Sequence, residues 1–155
     1  MNSPSPDHVA PDATDAAAYR CWRDDTVRFN DLDPLSHLTS VAFMIMFETA
    51  RILFVRTAGE ASGIGLARWM LVNANIDYLS QIHFPAQVRI GTRLQRMGRS
   101  SVTTVQGMFT DGRCAATLVS TMIFADPDLE GSTPLPEDLK RHLQALSDTG
   151  EVPST

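Results

Sequence analysis

Val27-Arg28-Phe29-Asn30-Asp31-Leu32-Asp33-Pro34-Leu35-Ser36-His37-Leu38 runs directly into the apolar segment from Val41 to Val55, and this junction decides the fold. Val27 and Phe29 alternate with Arg28 and Asn30, the period-two pattern of a half-buried strand, which predicts a strand ending near Asn30. Asp31-Leu32-Asp33-Pro34 stops that strand, because proline donates no ladder hydrogen bond and aspartate favours turns. Thr39 or Ser40 supplies a cap for a helix over about residues 40–57, ending before Gly59. The polar positions of that helix are few: Glu48, Thr49, Arg51 and Arg56. A helix apolar on nearly every side must be covered by other elements over most of its surface. Two carboxylates and a histidine therefore share a short connection aimed at a helix N-terminus. Terminal amides and the helix dipole there favour negative charge developing on a carbonyl oxygen.

Downstream, Gly59, Gly63 and Gly65 mark a flexible connection, and from Met70 the period changes to two. Met70, Val72, Ala74, Ile76 and Tyr78 alternate with Asn73, Asn75 and Asp77, which places the two sets on opposite strand faces. Val88, Ile90, Thr92 and Leu94 repeat the pattern, as do Ala116, Leu118, Ser120, Met122 and Phe124. Asp111-Gly112 is a tight-turn pair that joins two runs into a hairpin, and Gly98-Arg99-Ser100 makes another reversal. Pro134-Leu135-Pro136-Glu137 opens a short amphipathic helix through about Leu146. Strand, long helix, then four antiparallel strands predicts an α+β fold: one curved sheet wrapped around one apolar helix. Such a protomer leaves sheet edges uncovered, so pairing with a second copy is expected.

The chain of 155 residues fits one domain. Its net charge of −5 and its scattered arginines, with Lys140 the only lysine, argue against a nucleic-acid partner. Residues 1–19 hold no Lys or Arg and no apolar run, but do hold Pro4, Pro6 and Pro11. They lack the pattern of a secretory signal and read as a disordered leader, followed by a domain over 20–147 and a tail over 148–155. Val41–Val55 is too short to span a bilayer and carries Glu48 and Arg51 inside, which gives a cytoplasmic protein with no membrane partner as the expectation. Cys21 and Cys114 are isolated thiols suited to a reducing compartment. No metal-binding, phosphate-loop, dinucleotide or GxSxG motif is present, and no metal or cofactor is expected.

This order of residues resembles the hotdog-fold acyl-CoA thioesterases of the 4-hydroxybenzoyl-CoA thioesterase type. The resemblance rests on Phe29, Asp31-Leu32-Asp33, Ser36-His37 and Phe47-Glu48-Thr49-Ala50-Arg51, followed by Ile76-Asp77-Tyr78-Leu79, Leu94 to Val102 and Pro134-Leu135-Pro136. It covers about residues 22–146. Two positions depart from the family pattern: Ser36 stands where a glycine is usual, and Thr39 where an asparagine is frequent.

The resemblance implies a hydrolase that releases a carboxylic acid and free coenzyme A, with Asp33 as nucleophile on the thioester carbonyl or as base for water. His37 would polarise the carbonyl or orient a water. A thiol leaves readily because its pKa lies near 8.5, so no strong general acid is required. Arg99, Ser100 and Ser101 match the place where the family contacts the phosphates of coenzyme A, which arginine's planar fork suits. Asp31 reads as a turn former. Glu48 matches the helix glutamate of a related subgroup but sits three residues from Arg51, where an ion pair forms. Met44, Met46 and Met70 either fill core or line an acyl tunnel. A homodimer or homotetramer is implied. Hydrolysis of acyl groups on acyl carrier protein, and acyl-CoA binding without catalysis, are the alternatives.

Overall fold

The computed structural model describes residues 11–65, 68–125, 128 and 131–153. Cys21–Thr26 forms β1, Ser40–Ala61 α1, Trp69–Tyr78 β2, Gln87–Met97 β3, Ser101–Thr110 β4, Arg113–Phe124 β5 and Glu137–Thr149 α2. The strands make one antiparallel sheet in the order β1-β3-β4-β5-β2, and α1 packs against its inner face. This is the predicted α+β arrangement.

Alternation sets which strand residues meet the helix. Val88 and Ile90 of β3, Met108 of β4 and Ala116 and Leu118 of β5 close around Phe43, Met46, Phe47 and Ala50. Towards the other end, Val102, Met122 and Phe124 meet Phe54, Val55 and Ala58, and α2 adds Leu139, Leu143 and Leu146. A polar seam crosses the inner face between these clusters. Gln106 donates to the Phe47 carbonyl and to Thr92 Oγ1, each at 3.0 Å, and Thr104 and Ser120 hydroxyls lie 3.0 Å apart. Arg51 points into this seam, buried, with its Nη1 3.5 Å from Ser120 Oγ.

Three local boundaries are corrected. The first strand ends at Thr26, not near Asn30. The Asp31 carboxylate accepts the Arg28 N–H at 2.8 Å and folds Phe29–Asp31 into a 3-10 turn. This leaves Phe29 75 % exposed, so its alternation with Val27 is not that of a strand. Helix α1 passes Gly59 and ends at Ala61, and a Cβ at Gly59 would lie 2.7 Å from the Ile64 carbonyl oxygen. Glycine here permits close packing and does not break the helix. Helix α2 likewise continues three residues past Leu146, to Thr149, before Gly150 caps it in the left-handed region at φ 79°.

In β2, a bulge between Leu71 and Asn73 inserts Val72 and flips the alternation. Ala74, Ile76 and Tyr78, expected on one face, pair with Ser120, Leu118 and Ala116, but Trp69 and Leu71, not Met70 and Val72, pair with Phe124 and Met122.

Of the expected leader, residues 1–10 lie outside the described residues, whereas residues 11–19 form a strap over the outer face of the sheet. Asp15 caps a 3-10 turn at Ala16–Ala18, and Tyr19 is 1 % exposed with its hydroxyl donating to the Ala13 carbonyl at 2.6 Å. Its ring covers Gly91 and Gly107, which face each other across β3 and β4. Any Cβ on either glycine would overlap the strap. Arg93 Nη2 donates to the Pro11 carbonyl at 2.7 Å and pins its other end.

Candidate active site

The turn between β1 and α1 is held by its own aspartates. Asp31 spends its carboxylate on the Arg28 N–H, and its carbonyl accepts the Thr39 N–H at 2.9 Å. It is the turn former expected. Asp33 Oδ1 accepts two backbone amides, from Leu35 at 2.8 Å and His37 at 3.0 Å, and its own N–H donates to the His37 carbonyl at 2.8 Å. These bonds fix the carboxylate plane, and among the described residues Oδ2 has no partner. Ser36 closes the turn at φ 62°, in the left-handed region that glycine enters freely. The family's usual glycine therefore answers a backbone requirement that serine meets here at some cost. Thr39 caps α1, its Oγ1 accepting the Ala42 N–H at 3.1 Å.

Asp33 and His37, both half-buried, line a cavity of about 380 Å³ with Leu38, Phe43, Tyr78, Leu79, Ser80 and Gln81. The Phe43 and Tyr78 rings meet edge to face, 5.3 Å between centroids. The far wall is the loop after β2. Leu79 and Ser80 N–H groups both donate to the Ala115 carbonyl, and Arg113 bonds Ser80 Oγ and the Gln81 carbonyl. A carboxylate with one open oxygen and an imidazole thus share one cavity, with Phe43 of the first turn of α1 on its wall. A larger cavity of about 620 Å³ lies on the outer face, between Trp22, Arg89 and Phe109. Its lining includes no histidine, and its one carboxylate is Asp111 of the β4–β5 turn.

Other expected residues fall elsewhere. Arg99, Ser100 and Ser101 form the β3–β4 reversal, where the Ser100 carbonyl accepts the Phe124 N–H at 2.8 Å. Phe124 pairs with Trp69, the start of β2, while Tyr78 at its end lines the Asp33 cavity. Ten residues of strand separate them by about 30 Å. One protomer therefore does not bring the Arg99 turn to Asp33. Glu48 is exposed about 12 Å along the α1 axis from Ser40. Its carboxylate is 4.0 Å from Arg51 Nη2, at the limit of an ion pair. Met46 is core, Met44 packs against the core and Met70 is exposed on β2, so the three do not form one tunnel. Burial pushes both free thiols, Cys21 and Cys114, above their ordinary pKa, which suits neither to nucleophilic attack. Among the described residues no three metal-ligating side chains cluster, and no helix is long and apolar enough to cross a membrane.

The sequence reading missed His83. It stands on the segment between β2 and β3, bridges His37 through the backbone, and its ring lies 4.7 Å from that of His37. No spacing rule reveals this contact, since 46 positions separate the two.

An antiparallel sheet around one long helix, with a carboxylate turn at the helix start, defines a hotdog-fold enzyme of the thioesterase class. The chain belongs to the thioesterase-like superfamily, which it matches over residues 27–143. Among solved structures it resembles a thioesterase of Thermus thermophilus complexed with coenzyme A and zinc, at 26 % identity and TM-score 0.74, covering 83 % of this chain and 95 % of that one. A protein of Pseudomonas aeruginosa strain PAO1 gives 24 % identity and TM-score 0.72, with 86 % and 96 % covered. A hypothetical protein of Staphylococcus aureus in complex with CoA gives 15 % and 0.71, with 77 % and 78 % covered. A comparison with curated protein sequences finds no match.

Proposed function

We propose that the protein hydrolyses acyl-coenzyme A thioesters, with Asp33 as nucleophile or general base and His37 beside the reacting carbonyl. The observation that carries this reading is the Asp33 carboxylate: Oδ1 is locked by two amides while Oδ2 has no partner, at a cavity shared with His37. In the hydrolysis, Oδ2 attacks the thioester carbonyl directly or takes a proton from an attacking water. The amides at the start of α1 offer donors to the oxyanion, and the thiolate of coenzyme A departs; after direct attack, water then cleaves the Asp33 anhydride to release the acid and restore the carboxylate. The Thermus and Staphylococcus proteins, solved with coenzyme A, support the carrier.

The active unit in this reading is a homodimer joined along β2. That strand is a sheet edge with Met70, Leu71, Val72 and Tyr78 exposed, and Val41 and Ile45 of α1 add exposed apolar surface. Antiparallel pairing of two β2 edges sets the Trp69 end of one copy beside the Tyr78 end of the other. Arg99, Ser100 and Ser101 then reach the neighbouring Asp33 cavity, where they contact the carrier phosphates of a substrate that spans the interface.

Asp33→Asn tests the chemistry, because it keeps size and removes charge. Thiol release from a panel of short, long and aromatic acyl-CoAs is expected to fall about a hundredfold or more, with coenzyme A binding and unfolding midpoint retained. A variant keeping more than about a third of wild-type turnover makes Asp33 a turn residue and overturns the mechanism. Binding without thiol release by the wild type would make the protein an acyl-CoA binder.

A further inference from the structure

We infer that His83 is a positioning residue that holds the His37 imidazole in place at the Asp33 cavity, an inference that rests on the hydrolase reading above. The two rings meet at 4.7 Å between centroids and 81° between planes, an edge-to-face contact. The backbone of His37 is fixed by its N–H on Asp33 Oδ1 and its carbonyl on the Asp33 N–H. Backbone bonds leave χ1 and χ2 of the imidazole free to change rotamer. On a half-buried residue at the rim of a cavity, something beyond the backbone must select one rotamer. The His83 ring is placed to do so.

The backbone that carries it is anchored on both sides. Ile82, immediately before it, is 1 % exposed in the core, and its carbonyl accepts the Leu38 N–H at 2.8 Å. On the other side, the Ala86 carbonyl accepts the Val27 N–H at 3.0 Å. His83 is itself exposed and does not line the cavity, so it acts through His37 and not on substrate. An exposed ring flanked by a fixed backbone contributes little to the core, which separates its effect on His37 from its effect on folding.

The experiment compares His83→Ala and His83→Phe with wild type. Loss of the ring is expected to lower kcat on acyl-CoA by about fivefold to tenfold, the size an aromatic edge contact supports, with KM within about twofold. Phenylalanine keeps the edge contact but has no ring nitrogen, so His83→Phe is expected to recover kcat to within about twofold of wild type. Unfolding midpoints of the variants should match. The Hα–Hβ scalar couplings of His37, assigned through His37→Asn, read its rotamer directly. They should show one rotamer in wild type and His83→Phe, and averaging in His83→Ala. Unaveraged couplings in His83→Ala, or an unchanged kcat, overturn the inference, as does an equal kcat loss in both variants. If wild type hydrolyses no thioester, the functional reading fails, while the couplings still decide the role of His83.

Discussion

At Ser36 a single side chain sits where the backbone asks for none. Its left-handed φ of 62° costs about 1–2 kcal/mol for a residue with a Cβ. Glycine removes that cost but adds about 0.5–1 kcal/mol of unfolded-state entropy. Ser36→Gly should therefore leave urea-unfolding stability unchanged or raise it by up to about 1.5 kcal/mol, with Asp33 chemistry intact, whereas Ser36→Val should lower it. Arg51 is a second costly residue, a poorly paired charge buried in the polar seam beneath α1. Burial pushes its guanidinium below the ordinary arginine range, with Glu48 opposing at 4.0 Å, and its Nε has no partner. Replacing a poorly paired buried charge with an apolar chain of similar length is neutral or stabilising by about 1–4 kcal/mol. Arg51→Met should show that outcome in urea unfolding, and Arg51→Ala, which leaves a void, should lose stability.

Among elements, the strap over residues 11–19 and the two glycines beneath it form one unit. A Cβ at Gly107 would lie 2.7 Å from the Phe109 ring and 2.9 Å from the Ala13 carbonyl oxygen, and one at Gly91 would lie 2.7 Å from Tyr19 Cβ. Gly107→Ala should cost about 1–3 kcal/mol, read by urea unfolding, since neither neighbour can yield freely. Burial also pushes the Tyr19 phenol above its ordinary value, against the pull of Arg93. The folded chain then keeps a proton that the unfolded chain releases near pH 10. Its stabilising contribution is complete below that pH and is lost as pH rises further. Wild-type stability should fall more steeply above about pH 10 than that of Tyr19→Phe.

The strap also shows where the sequence stops being readable. Its nine residues carry no hydrophobic period, and the complement that orders them, two facing glycines, lies more than 70 positions away. The β2 bulge is hidden for a similar reason: one inserted residue leaves each half of the strand regular, and only the pairing with β5 reveals the flip. By contrast α1, the β4–β5 turn at Asp111-Gly112 and the inward set Ala116 to Phe124 follow from local pattern, because one face of each is dictated by burial. Asp33 and His37 were legible together, being four residues apart on one turn. His83 was not.

For the molecule as a whole, the exposed β2 edge and the remote Arg99 turn make one joint prediction. Light scattering should give no species smaller than a dimer at micromolar concentration, and a charge on the edge, as in Leu71→Lys, should shift it to monomer and abolish turnover. Arg99→Ala should leave the dimer intact and raise KM for acyl-CoA more than it lowers kcat, with no effect on an acyl-pantetheine that lacks the nucleotide phosphates. The pairing of Tyr19 with Gly91 and Gly107 reaches into descent as well as stability. A lineage that gains a side chain at either glycine loses the seat for the ring, and one that loses the ring frees both glycines to drift. Across homologues these three positions should change as a set, with intermediate combinations rare, so the strap is inherited or discarded whole.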